Sequence, residues 1–163
     1  MKRDYSKALS NFLKKEQPRI IMDLGCGWGL IGEEIKEALP EVVLDGLDID
    51  EQSVLKAYKR DILGIPVYRN IINADVVTAK LSEYYDLFVA FNLLDKMKKE
   101  DAMKIVNRYK GKLLVHVPII NVPQGKQFGN TFTERISFWN HDEIMEFAEK
   151  CIYRGFVFGL YKV

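Results

Sequence analysis

The stretch Arg19-Ile20-Ile21-Met22-Asp23-Leu24 runs almost continuously apolar and stops at Gly25-Cys26-Gly27-Trp28-Gly29. An apolar run of this length ending at glycines reads as a central strand buried on both faces, which requires parallel neighbours and helices on either side. Glycines directly after such a strand and before a helical pattern let the backbone turn sharply and let a ligand approach it closely. Nucleotide-like molecules are the usual guests of that arrangement.

The pattern continues as an alternation. Apolar residues at helical spacing over 5–15 predict an N-terminal helix stopped by Pro18. After the first strand, the periodicity predicts a helix over 30–39, a strand over 41–48 and a helix over 51–62. It then predicts a strand over 66–72, a short helix over 76–81 and a strand over 85–91. An amphipathic helix over 98–109, a strand over 112–117, a last helix beginning at Asn140 and a strand over 156–161 complete the order. Segment 118–139, with Pro123, Gly125 and Gly129, breaks the rhythm, and a loop of that length is commonly functional.

Alternating strands and helices specify an α/β, doubly wound, mostly parallel sheet of six to seven strands with helices on both faces. Only one convincing strand follows 117, plus a short candidate near 135–138, so the C-terminal end of the sheet is expected to be abbreviated. The whole of 1–163 reads as one domain: an N-terminal helix over 1–17, a binding core over 18–117, a rim loop over 118–139 and a final helix and strand over 140–163. In such folds the ligand crevice opens where strand order reverses, here between the first and fourth strands.

Composition narrows the partners. Lysine plus arginine number 24 against 23 acids, a net charge of +1, so no overall field draws the chain to nucleic acid or anionic lipid. The basic run Lys96-Met97-Lys98-Lys99 reads as a solvated helix start. Lys2 and Arg3 precede no apolar signal segment, and no stretch is long enough to span a bilayer, which reads as cytoplasmic. Cys26 and Cys151 read as unpaired thiols, the latter near the end of the last helix. His116 and His141 have no partners at metal-ligand spacing, so no metal is expected.

Two acids follow the strands. Asp23 precedes the first glycine, where its carboxylate is expected near the crevice mouth to balance the positive end of a ligand. Asp48 ends the second strand at the distance suited to accepting from ribose hydroxyls, whereas Asp50 reads as the N-cap of the next helix. Taken together, 20–29 and Leu44-Asp45-Gly46-Leu47-Asp48-Ile49 resemble the first two motifs of class I S-adenosylmethionine-dependent methyltransferases.

The resemblance covers 19–117 well and the remainder loosely. It implies S-adenosylmethionine as cofactor, with the loop containing Gly25, Cys26, Gly27 and Gly29 against its methionine part, Asp48 on the ribose and Ile49 on the adenine. It implies Asp75, in Asn73-Ala74-Asp75-Val76, as acceptor of the adenine amino group, with Val76 beside it. In Phe91-Asn92-Leu93-Leu94-Asp95 it implies that Asn92 faces the methyl-transfer pocket. The Asp/Asn-Pro-Pro-aromatic signature of relatives that methylate base or glutamine amino groups is missing, and no thiol is positioned for cytosine-C5 chemistry, so a small-molecule acceptor is expected rather than a nucleic acid.

Methyl transfer from a sulfonium is an in-line displacement that asks mainly for orientation, and the sequence singles out no catalytic base. Trp28, Trp139, Tyr5 and Phe91 are candidates for an aromatic pocket. Gly27-Trp28-Gly29-Leu30-Ile31-Gly32 also satisfies the dinucleotide pattern, which keeps an NAD-dependent oxidoreductase as the alternative, although Asp23 and the short chain oppose it. A methyltransferase-like binding module without catalysis is the third reading.

Overall fold

The first strand, β1 (Ile20–Leu24), pairs in parallel with β2 (Val43–Asp48) on one side and β6 (Leu87–Phe91) on the other. These assignments come from a computed structural model, which describes residues 4–127 and 130–163; Lys2, Arg3 and Gly129 lie outside them. The other elements are α1 (Ser6–Glu16), α2 (Leu30–Ala38), α3 (Glu51–Tyr58), the two-residue partners β3 (Asp61–Ile62) and β4 (Ile65–Pro66), β5 (Asn70–Asn73), α4 (Lys99–Arg108), β7 (Leu113–Pro118), α5 (His141–Met145), β8 (Lys150–Arg154) and β9 (Phe158–Lys162).

The main sheet has seven strands in the order β5-β2-β1-β6-β7-β9-β8, with β9 antiparallel to both neighbours and the other pairs parallel. Successive residues of a strand point to opposite faces. Ile21, Leu44, Val89 and Leu114 accordingly join a core with α1, α2 and α3, while Met22, Leu24, Phe88 and Val115 join a second core with α4 and α5. Every residue of β6 and β7 is buried, as strands covered on both faces require. Strand order reverses between β1 and β6, so the loops leaving these two strands stand side by side.

The end of the sheet is complete, which corrects the expected abbreviation. The last helix stops at Met145, and Lys150–Arg154, carrying the β-favouring Cys151, Ile152 and Tyr153, forms the edge strand instead of more helix. Cys151 therefore sits in a strand. The start of α5 was legible: Asn140 accepts from the Glu143 amide at 2.9 Å and Glu143 accepts from the Asn140 amide at 3.0 Å, a capping box. Residues 135–138 form no strand, because the Ile136 and Ser137 amides donate to the Asp95 carbonyl at 2.8 and 3.2 Å.

Two other expectations change. The helix over 76–81 is replaced by turns: Asp75 Oδ1 accepts from the Val77 amide at 2.8 Å, and Arg108 donates to the carbonyls of Val76, Val77 and Ala79 that a helix would have used. The third helix ends at Tyr58 rather than 62, because Leu63 and Gly64, at φ 54° and 82°, turn 61–66 into a small hairpin. The strand expected over 66–72 is consequently confined to Asn70–Asn73, and Tyr68 turns inward, buried.

Gly32, inside α2, sets how closely that helix approaches Tyr68. A Cβ there would lie 2.4 Å from Tyr68 Oη and 2.8 Å from Val67 Cγ1. Gly32→Ala is expected to overpack this contact and lower stability by about 2 kcal/mol, read from urea denaturation midpoints at constant slope.

Candidate functional site

The glycine loop is shaped by its bonds to the end of β2. The amides of Gly25 and Cys26 donate to the Leu47 carbonyl at 2.7 and 3.0 Å, and the Gly27 amide donates to Asp48 Oδ2 at 2.7 Å. Gly25, Gly27 and Gly29 all have positive φ, but for different spatial reasons. A Cβ on Gly25 would strike Leu93 at 2.7 Å and one on Gly29 would strike Tyr68 at 2.9 Å, whereas one on Gly27 would meet nothing within 4 Å. Gly27 thus presents bare backbone to open space.

That space is a cleft of about 1440 Å³ at the carboxyl ends of the strands. Nine of the ten residues expected at the site line it: Asp23, Gly25, Cys26, Gly27, Asp48, Ile49, Asp75, Val76 and Asn92. Gly29 does not; it is the N-cap of α2 and packs against Tyr68 and Arg60. Gly32, the last glycine of the dinucleotide pattern, likewise faces Tyr68 and Val67 instead of the cleft. Asp48 Oδ1 accepts from the Asp50 amide at 2.9 Å, and burial pushes this carboxyl above its usual range. A carboxylate offers about four acceptor positions, so Asp48 retains capacity for further donors.

Asp50 caps α3 as expected, accepting from the Ser53 amide at 2.9 Å, and it also accepts from Asn130 Nδ2 at 3.0 Å. Ile49 is 41% exposed, an apolar surface on the cleft wall. Asn92, at φ 51°, donates its amide to the His116 carbonyl at 2.8 Å and is exposed to the cleft. The Cys26 thiol is pushed far above its usual range by burial and then by Asp23 and Asp48, which leaves it inert as a nucleophile.

Asp23 differs from expectation. Its carboxylate is 1% exposed and forms the inner wall, not the mouth, with Tyr68 Oη donating to Oδ2 at 2.7 Å. Burial raises its pKa to about 7; the Tyr68 bond opposes that rise and the Asp48 charge adds to it. Sequence reasoning missed Tyr68, because it lies in a segment read as ordinary strand. The signal available was indirect: Gly29, Gly32 and Gly46 all lack side chains where Tyr68 packs.

The far end of the cleft is aromatic. Tyr5, Phe91, His116 and Phe158 line it, whereas Trp28 stands in the glycine loop beside Gly27. Lys56 Nζ sits 3.8 Å above the Trp28 ring. Trp139 does not belong there; it is buried in the second core, where its indole N–H donates to Ser137 Oγ at 3.1 Å. Loop 118–139 is fastened by Arg135 Nε, which donates to the buried Asp95 at 2.9 Å. The basic run is largely consumed internally: Lys96 pairs with Asp95 at 2.9 Å and Lys99 with Glu143 at 2.6 Å. Among the described residues no group of three potential metal ligands converges, and no helix is long and apolar enough to cross a membrane.

The profile of the methyltransferase small domain family matches residues 4–106. The chain belongs to this family. A curated relative, malonyl-[acyl-carrier protein] O-methyltransferase of Halalkalibacterium halodurans, is 31% identical over an 88-residue alignment that covers 50% of this chain and 32% of the relative. The match thus spans about a third of that relative's length. The plantazolicin methyltransferase BpumL, solved with SAH, superimposes with a TM-score of 0.63 at 19% identity, covering 88% of this chain and 61% of that one. Magnesium protoporphyrin IX methyltransferase of Synechocystis, also solved with SAH, gives 0.67 at 16% identity, covering 96% and 79%. These likenesses establish the class I, Rossmann-like methyltransferase fold.

Asp23 makes the family member's stability depend on pH. Its folded pKa of about 7 lies above the ordinary 3.8, so across that window the folded state holds a proton that the unfolded state has lost. This stabilisation is present below pH 4 and is lost as pH rises to 7, on the order of 4 kcal/mol in all. Urea denaturation from pH 4 to 8 should show wild type losing stability relative to Asp23→Asn up to pH 7 and tracking it above. A difference constant in pH would refute the shift.

Proposed function

We propose that the chain is an enzyme that binds S-adenosylmethionine in this cleft and transfers its methyl group to a small-molecule acceptor. The observation that carries the reading is the Asp48 carboxylate bonded to the Gly27 amide, with open space where a Gly27 side chain would project. That bond joins an acid suited to ribose hydroxyls and a bare backbone suited to an amino-acid tail into one wall.

The residues present fit the cofactor. Asp48 would accept from the ribose, Ile49 and Val76 would pack on the adenine, and Asp75 would accept from its amino group. Gly25, Cys26, Gly27 and Gly29 would shape the loop beside the methionine part, with Asp23 behind it as the anion nearest its charged end. Asn92 would border the transfer pocket. When bound, S-adenosylmethionine supplies a methyl group on a positively charged sulfur. The chain's part is to orient the two reactants and exclude water, which the aromatic wall of Tyr5, Phe91 and Phe158 does at the acceptor end.

On this reading 1–163 forms one domain, with 18–117 as cofactor core and 118–139 as acceptor rim. The acceptors for which the relatives are named, malonyl-[acyl-carrier protein] and magnesium protoporphyrin IX, support an acceptor other than nucleic acid. The internal pairing of Lys96 and Lys99 argues the same way. Two free thiols suit a reducing compartment, the cytoplasm.

Calorimetry with S-adenosylmethionine and S-adenosylhomocysteine tests the assignment. Wild type is expected to bind in the micromolar range, and Asp48→Ala to lose at least about 1 kcal/mol, the order of a charge-assisted hydrogen bond. Binding of NADH with no binding of either sulfur nucleoside would reverse it.

A further inference from the structure

The cleft is larger than one ligand requires. Its volume of about 1440 Å³ exceeds the roughly 300–1,000 Å³ usual for a single small-molecule pocket, and its two ends differ in chemistry. Strands β5, β2 and β1 bring Asp75, Asp48 and Asp23 to the Gly27 side, and β6, β7 and β9 bring rings to the other.

The ring wall follows from strand register. Phe91 on β6 stands opposite His116 on β7, and Phe158 on β9 stands opposite Pro118, two residues beyond His116. The His116 ring is stacked between Phe91 and Phe158, at centroid distances of 5.0 and 5.1 Å and interplanar angles of 10° and 16°. Tyr5 leans over the His116 ring at 4.2 Å.

Outside this wall three apolar side chains reach solvent among polar neighbours such as Asn130 and Thr133. Phe132 is 50% exposed, Ile136 56% and Phe156 87%, and all three line the same cleft. Single exposed apolar residues are ordinary, but a group contributed by separate segments to one opening marks a contact surface. Here Phe132 and Ile136 come from loop 118–139, and Phe156 from the turn between β8 and β9. The loop is tied to the start of α3 through Asn130 to Asp50 and to the segment after β6 through Arg135 to Asp95.

We propose that the methyl acceptor is an apolar, ring-bearing molecule, its body held between the aromatic wall and an outer rim of Phe132, Ile136 and Phe156 and only partly engulfed. The assignment rests on the reading above that the cofactor takes the Gly27 end. Continuity decides the occupant: the rim is the outer lip of the same cavity whose inner wall is Phe91, His116 and Phe158, so whatever covers it also reaches the transfer pocket.

The test uses the full chain and 1-anilinonaphthalene-8-sulfonate, a ring-bearing apolar probe, titrated by fluorescence, with S-adenosylhomocysteine calorimetry in parallel. The Ile136→Ala/Phe156→Ala double variant removes rim surface only. Leu63→Ala/Ile65→Ala is the control, because these residues are 98% and 68% exposed on the β3–β4 hairpin, outside the cleft. The rim variant should bind the dye at least about fivefold more weakly, the control as wild type does, and both should bind S-adenosylhomocysteine within twofold of wild type. Equal dye affinity in wild type and rim variant overturns the proposal. So does a wild-type dimer by light scattering, or wild-type flotation with phosphatidylcholine vesicles, that the rim variant abolishes, since either gives the rim another occupant. Failure of S-adenosylhomocysteine to bind wild type, with the dye still sensitive to the rim, would sink the cofactor reading and leave the apolar subsite standing.

Discussion

The hydrogen bond from Tyr68 to Asp23, sealed inside the fold, is the constraint around which the site is assembled. Burying a carboxyl without a partner is costly, and a phenol donating to it at 2.7 Å offsets much of that cost. For the phenol to reach Asp23, the start of α2, the glycine loop and β2 must all give way, and they do so at Gly29, Gly32 and Gly46. The glycines near the loop therefore serve two purposes. Gly27 opens the backbone to the cleft, while Gly29, Gly32 and Gly46 make room for one aromatic ring.

A second set of bonds distributes charge along the cleft. Asp48 accepts from the amides of Gly27 and Asp50, so the loop after β1 and the start of α3 are tied to one carboxylate. Asp50 carries the linkage to Asn130 in the long loop. At the other end of that loop Arg135 meets Asp95, whose neighbour Lys96 bonds the same carboxylate oxygen. Residues 130–136 are thus anchored by polar bonds to the start of α3 and to the segment after β6, which is why a short 3-10 turn and the residues after it present an apolar rim in a fixed place.

Local signals made most of the core legible. The apolar run of β1, the glycines after it, the acid ending β2 and the capping box at Asn140 each act within a few residues, and each was readable in the chain. Apart from the third helix, which the neighbouring Leu63 and Gly64 cut short, the misreadings arose where a distant residue decided the outcome. Turns replaced the helix over 76–81 because Arg108, from α4, takes the carbonyls of Val76, Val77 and Ala79. The edge strand Lys150–Arg154 was hidden because a strand's existence depends on a partner, here β9. Trp139 looked like a site residue by composition, yet its indole is taken up by Ser137 in the second core.

The sequence by itself determined the α/β alternation, the position of the glycine loop and the acids at Asp23, Asp48 and Asp75, because hydrophobic period and turn chemistry are short-range properties of the chain. Only the tertiary structure decided that Asp23 is an inner-wall acid held by Tyr68, that Gly29 and Gly32 face a ring instead of the cleft, and that Phe132, Ile136 and Phe156 share one opening. Those outcomes depend on which surfaces are buried against which, and burial, unlike periodicity, is set by residues far apart in the chain.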